Sequence, residues 1–333
     1  MSDSLRRLFA ATALALTPLL ATGKGSGGSP SPPASPFTIR IVKYGPPMPA
    51  AAQTAFDAAA AKWESIITRS LALVDLSVPA GTCGPNSPAV ADTTTGLVIL
   101  ASVDSIDGPG KTLAQAGPCE VRQSDGLTAI GLMRFDSADV DTMIAQGVLN
   151  VVVLHEMGHV LGFGSLWGPP DSSLKANCLQ LKSNPPGTIQ DTYFSCARTR
   201  AVFDSIGGRA YTGGGSSPPA GNKVPVENCG TSPYVSPKCG AGTVNSHWRE
   251  VVFGNELMVG FLPNSPRLSV VTVATMQDLG YAVNYAAADA YSHAFTAPPV
   301  GGVPRVWLGD DARPGPIYAV GANGAIVRVV RRR

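Results

Sequence analysis

Residues 148–161 read VLNVVVLHEMGHVL, and Gly162 follows them. Apolar residues fall on nearly every face of this stretch, so it predicts a helix buried on all sides. Gly162 supplies a left-handed stop for it. Inside the helix stand His155, Glu156, Met157, Gly158 and His159. A four-residue step sets the two imidazoles on one helical face, one turn apart. There they can share one tetrahedral metal, with Glu156 placed to act as a general base on a water that the metal activates. The chain has only four histidines, so chance gives this pattern rarely. The competing reading is a pair of satisfied core histidines, which leaves Glu156 in an apolar helix with nothing to offset its burial.

Outward from the helix, the preceding sequence alternates strand and helix patterns. Residues 37–44 (FTIRIVKY) have strand periodicity, and the Ala-rich residues 50–69 predict a helix. Strands are predicted at 70–78, at 96–103 (GLVILASV) and at 127–135, with a short edge strand at 111–116 before a Gly117-Pro118 turn. Asp136 and Ser137 offer cap oxygens to a short helix that Gly147 ends. This order predicts a mixed α/β lobe. Beyond Gly162 the character changes. Residues 163–246 are rich in Gly, Pro, Ser and Asn, hold four of the six cysteines, and suggest a helix only at 199–206. Order returns at 247–262 and in a helix at 270–279, which Gly280 ends. A strand at 303–308 and a hairpin across 317–330, turning at Ala322-Asn323-Gly324, close the chain.

Composition narrows the function classes. Charged residues make up 14% of the 333, and the net charge is +2, which gives no steering field for nucleic acid. Arg331, Arg332 and Arg333 read as a solvated end. Residues 1–22 read as an export signal: Arg6 and Arg7 precede the apolar run 8–21 (LFAATALALTPLLA), and small residues follow. Pro18 interrupts that run, which is short for a membrane anchor. Residues 23–36 are a flexible linker by composition. The chain is therefore expected to be secreted, periplasmic or otherwise extracellular, with no stable membrane insertion once the signal is removed. Six cysteines in an exported chain predict disulfides. Proximity pairs Cys83 with Cys119, Cys178 with Cys196, and Cys229 with Cys239. No C-x-x-C pair favours a cysteine-ligated zinc.

A catalytic zinc needs a third protein ligand and one open position. A carboxylate from a following helix is one source, and Asp171, Asp191 and Asp204 are the nearby acids. The other source is a third histidine reached after a helix-ending glycine. Gly162 sits where that second arrangement needs it, but the position three residues on is Ser165. The remaining histidines are His247 and His293. His293 reads as structural or exposed. His247 opens the segment HWREVVFGNELM at 247–258.

The blocks HEMGHVLGFG, HWREVVFGNELM and LSVVTVATMQDLGYAVNY together resemble the leishmanolysin family of metzincin zinc peptidases, over roughly residues 127–285. The resemblance implies an insertion between the helix glycine and the third histidine. It implies His155, His159 and His247 as ligands of one catalytic Zn2+, Glu156 as general base, Met258 as an apolar floor beneath the metal, and Gly162 as the turn between lobes. It implies that Leu113, Ala114, Gln115 and Ala116 form an upper rim where an extended peptide adds as a strand. The expected fold is α/β (α+β) and metzincin-like. An N-terminal mixed-sheet lobe at 37–162 carries the active-site helix. An irregular disulfide-stapled lobe at 163–295 carries His247 and Met258, zinc lies in the cleft between them, and 296–333 forms a strand and hairpin tail. The first cysteine, Cys83, falls inside the predicted sheet, so latency through a pro-segment cysteine is not expected. The expected activity is endopeptidase cleavage of extended protein substrates. A non-catalytic exported protein with structural zinc is the alternative, although no fourth ligand stands out in the sequence. A monomer is expected, though the sequence does not set the oligomeric state.

Overall fold

The computed structural model describes residues 35–170, 172–180, 192–210, 223–227, 243–263, 265–293, 295, 305–308, 311–313 and 315–331. Strand β1 (Ile39–Lys43) leads into helix α1 (Ala50–Ile66). Ala52, Ala55, Phe56, Ala59, Trp63 and Ile66 are buried along one stripe of α1 at helical spacing. The helix stops short of residue 69 because Ile67 turns extended and bridges to Val283.

Strands β2 (Val74–Val78) and β3 (Val90–Thr94) form an antiparallel hairpin. The sequence gives no sign of β3, because only Val90 of it is buried and apolar alternation is missing. Next come β4 (Leu97–Asp104), β5 (Ala114–Arg122) and β6 (Thr128–Asp136), then α2 (Val140–Ala145) and α3 (Leu149–Leu161). β5 does not end at a Gly117-Pro118 turn. It runs through both residues, paired antiparallel with β6, with register shifts around Pro118 and Glu120. Nor do Asp136 and Ser137 cap α2. Asp136 instead accepts backbone N–H groups from Ile106, Asp107, Gly108 and Ala138, and these bonds hold its carboxyl below its ordinary pKa even though burial opposes them.

The second half carries small elements: β7 (Leu179–Gln180), β8 (Tyr193–Phe194), α4 (Ala197–Ser205), β9 (Val224–Pro225), α5 (Glu250–Phe253) and β10 (Phe261–Pro263). They are followed by α6 (Val270–Leu279), β11 (Arg305–Trp307), β12 (Ile317–Val320) and β13 (Ile326–Arg331). β12 and β13 are the hairpin expected at Asn323-Gly324, and Gly324 takes the left-handed φ of 74° that the turn requires.

The main sheet has the order β1-β4-β6-β5-β12-β13. Its β1-β4, β4-β6 and β5-β12 pairs are parallel, and the other two are antiparallel. β4 is buried on both faces, as its unbroken apolar run requires. Leu97, Ile99 and Ala101 face the cluster that contains α1 and α3. Val98 and Leu100 face the β2–β3 hairpin. The fold is thus mixed α/β, with α3 held against the sheet, and the Trp63 indole donates to the carbonyl of Leu154 on α3 at 3.0 Å.

Disulfides Cys83–Cys119 and Cys178–Cys196 form as proximity predicts. The expected Cys229–Cys239 pair and the signal and linker residues lie outside the described residues. Arg331 is not a free solvated end: it closes β13, and its guanidinium donates to the Arg313 carbonyl at 2.9 Å. Among the described residues, no helix is long and apolar enough to cross a membrane.

Candidate metal centre

Helix α3 brings His155 and His159 onto one face, with Nε2 atoms 3.0 Å apart. His247, 88 residues further along, sets its Nε2 at 3.0 Å from each of them. All three rings are fully buried. Each ring is aimed by its other nitrogen. His155 Nδ1 is 2.7 Å from the Leu257 carbonyl, His159 Nδ1 is 2.9 Å from the Phe163 carbonyl, and His247 Nδ1 is 3.0 Å from the Thr243 carbonyl. A carbonyl can only accept, so these contacts put the ring proton on Nδ1 and leave a lone pair on each Nε2. Three lone pairs at this spacing cannot satisfy one another. They fit one cation: tetrahedral ligation at about 2.0–2.1 Å sets nitrogens about 3.3 Å apart. Backbone carbonyls behind metal-bound histidines are the usual support for that role.

Gly162 makes this geometry possible. It takes φ 119° in the left-handed region, and the chain turns so that the Phe163 carbonyl reaches His159. Ser165, which stands where a compact signature would place a third histidine, donates its hydroxyl to the His159 carbonyl at 2.6 Å. A Cβ on Gly162 would lie 2.8 Å from Leu166 Cδ1. Gly162→Ala is therefore expected to cost about 1–3 kcal/mol through strain and clash. Urea unfolding of the metal-free chain checks this, and an unchanged midpoint would contradict it.

Met258 is buried beneath α3. A Cβ placed on Gly158 would stand 2.9 Å from Met258 Sδ and Cε, so the glycine lets the methionine press against the helix. The preceding residue, Leu257, supplies the carbonyl that orients His155. Sequence reasoning missed what fixes this turn. Glu256 accepts from the backbone N–H of Met258, and from the backbone and hydroxyl of Ser269 at 3.1 and 2.7 Å, tying the turn to the start of α6.

Glu156 is fully buried, and neither of its oxygens has a hydrogen-bond partner. Burial, reinforced by the charge of Asp311, pushes its carboxyl well above the usual range. An orphaned carboxyl beside three converging lone pairs has no packing explanation.

Asp311 is the second residue the sequence did not reveal. Its Oδ2 lies 3.0 Å from His247 Nε2, 3.5 Å from His155 Nε2 and 3.8 Å from His159 Nε2. The four side chains offer ligand atoms within 4.8 Å of one another. Burial lowers His155 and His159, which keeps them neutral. The only sequence signal was an Asp310-Asp311 pair in a chain poor in charge. Of the carboxylates weighed as third ligands, Asp204 lies on α4 outside this group, while Asp171 and Asp191 fall outside the described residues. His293 lies outside this group, stacked against Tyr291 and edge-on to Phe295.

At the sequence-predicted rim, Ala114, Gln115 and Ala116 begin β5 and Leu113 precedes it. The Leu113 and Ala116 N–H groups donate to the carbonyls of Leu308 and Asp311 at 3.3 and 2.8 Å.

Comparison with protein families matches the leishmanolysin peptidase model over residues 78–168 and 226–298. The first block covers α3 with its two histidines, and the second covers His247 and Met258. No curated protein matches the chain. With both matched blocks meeting at one buried three-histidine cluster, the chain belongs to the leishmanolysin-like metallopeptidase family.

Proposed function

We propose that the protein is an exported zinc endopeptidase that hydrolyses peptide bonds in extended protein substrates. The observation that carries this is the convergence of three Nε2 lone pairs beside the orphaned Glu156 carboxyl. His155, His159 and His247 would hold one zinc ion. Bound there, the ion would supply Lewis acidity to the scissile carbonyl and to the attacking water. Glu156 takes a proton from that water on a carboxylate oxygen and returns it to the leaving nitrogen. Met258 floors the site, Gly162 turns the chain between the lobes, and Leu113 to Ala116 offer backbone groups to an extended peptide.

The same reading gives a metzincin-like arrangement: a sheet lobe at 37–162, a second lobe at 163–295 and the metal between them. Residues 1–22 act as export signal and 23–36 as linker, placing the protein outside the cytoplasm. The two disulfides support that location.

Asp311 favours one other reading, a closed structural zinc site, since structural sites fill the fourth position with protein. The buried, unpartnered Glu156 opposes it, because a structural site gains nothing from that carboxyl. Casein cleavage by the purified chain and by its Asp311→Ala variant separates the two. Under the proposal a chelator abolishes cleavage and added zinc restores it. Cleavage that survives complete zinc removal, or no cleavage by either zinc-loaded chain, would contradict it.

A further inference from the structure

The site as folded is sealed. His155, Glu156, His159, His247 and Asp311 are all fully buried, and so are Ala114 and Ala116 on the rim strand. A peptide cannot reach groups without exposed surface, so something stands where the substrate belongs. That something is the chain's own C-terminal region. β11 pairs antiparallel with β10, which follows closely after Met258. Leu308, Asp311, Ala312 and Arg313 lie along the edge of β5 opposite β6. The Leu308 and Asp311 carbonyls accept from Leu113 and Ala116, and the Arg313 N–H donates to the Ala116 carbonyl at 2.8 Å. Ala312 thereby bridges Ala116 in parallel.

At the centre of this segment Asp311 turns its carboxylate to the three histidines, while its backbone carbonyl is turned to the rim strand. The segment therefore offers the metal a carboxylate and not the carbonyl of the 311–312 peptide bond, which is the contact of an inhibitor and not of a substrate. The segment is also anchored. The buried Arg313 guanidinium donates to the carbonyls of Cys83, Pro118 and Pro316 at 2.8, 2.8 and 3.1 Å. Two of those carbonyls flank the Cys83–Cys119 disulfide, and Arg331 in turn donates to the carbonyl of Arg313.

We propose that residues 305–308 and 311–313 are an internal stopper, in which Asp311 fills the fourth ligand position and the flanking backbone takes the substrate's place on β5, so that the full chain is latent until they are displaced. The inference rests on the reading of the three histidines as holders of a catalytic metal. A closed structural site would share the Asp311 contact, but it would lose its metal when Asp311 is removed. A stopper would keep three ligands and gain an open position.

The test uses the full chain substituted with Co2+, whose visible absorption reports ligand number, and acetohydroxamic acid as a small probe of the fourth position. A stopper seated nine-tenths of the time or more weakens apparent affinity for the probe tenfold or more. Asp311→Ala is expected to keep one Co2+ per chain, to change the absorption spectrum, and to bind hydroxamate at least about tenfold tighter than wild type. Asp311→Asn, which preserves side-chain shape, is expected to shift in the same direction and stands in if the alanine variant does not fold. Equal hydroxamate affinity in wild type and variant would overturn the stopper. So would loss of the metal from the folded variants, which would mark Asp311 as a structural ligand. Casein cleavage is scored separately. Tighter hydroxamate binding without cleavage supports the stopper and counts against the endopeptidase reading alone.

Discussion

Glu156→Gln, introduced into both the wild-type and the Asp311→Ala chain, is expected to bind one zinc ion and to lose about 10²–10⁴ of kcat/KM. Glu156 has no exposed surface and no hydrogen-bond partner, and burial pushes its carboxyl up from the usual range. Glutamine matches the glutamate side chain in size, so α3 should keep its packing and His155 and His159 their aim. What is lost is a group able to take and return a proton. Zinc content by mass spectrometry and kcat/KM on a quenched fluorescent peptide decide the matter together. Full zinc with slow turnover is the expected pair of results. A zinc-replete variant that works within about tenfold of its parent would show that the base lies elsewhere.

His247→Ala is expected to lower zinc affinity by at least about a thousandfold. Losing a residue that merely orients a ligand costs about 10–100-fold, and losing the ligand itself costs more. The effect also appears as stability. Zinc at about a thousand times its Kd stabilises the folded chain by about 4 kcal/mol, and the variant forfeits most of that. Thermal melts with and without zinc should separate for wild type and coincide for the variant. An unchanged zinc titration would return the third-ligand role to a carboxylate.

The parts of the fold that were legible in the sequence are those where one element carries its own signal. β4 is apolar throughout because both its faces are covered. α3 declares itself by its apolar run, its paired histidines and Gly162. Other parts depend on residues far away in the chain. β3 exposes most of its side chains, so its pairing with β2 leaves no periodic trace. The run of β5 through Gly117 and Pro118 is invisible, since those residues ordinarily mark a turn. Only β6 on one side and the Arg313 anchor on the other hold them in a strand.

The site divides in the same way. The two histidines one turn apart can be read locally. His247 needed the resemblance of a whole block, because nothing local distinguishes a ligand from a packing histidine. Asp311 lies more than 150 residues beyond His159 in a stretch without periodicity, and its role comes from the rim strand it lies against. Glu256 was hidden for a related reason. Its partners, Ser269 and Thr272, stand on the next helix and its cap.

The most direct test of the central claim is anomalous diffraction at the zinc absorption edge from crystals of the zinc-loaded full chain. The account predicts one zinc peak enclosed by the Nε2 atoms of His155, His159 and His247, with an Asp311 oxygen closing the fourth side. A zinc-replete crystal with no peak there, or with zinc bound in a set that leaves out His247, would contradict it.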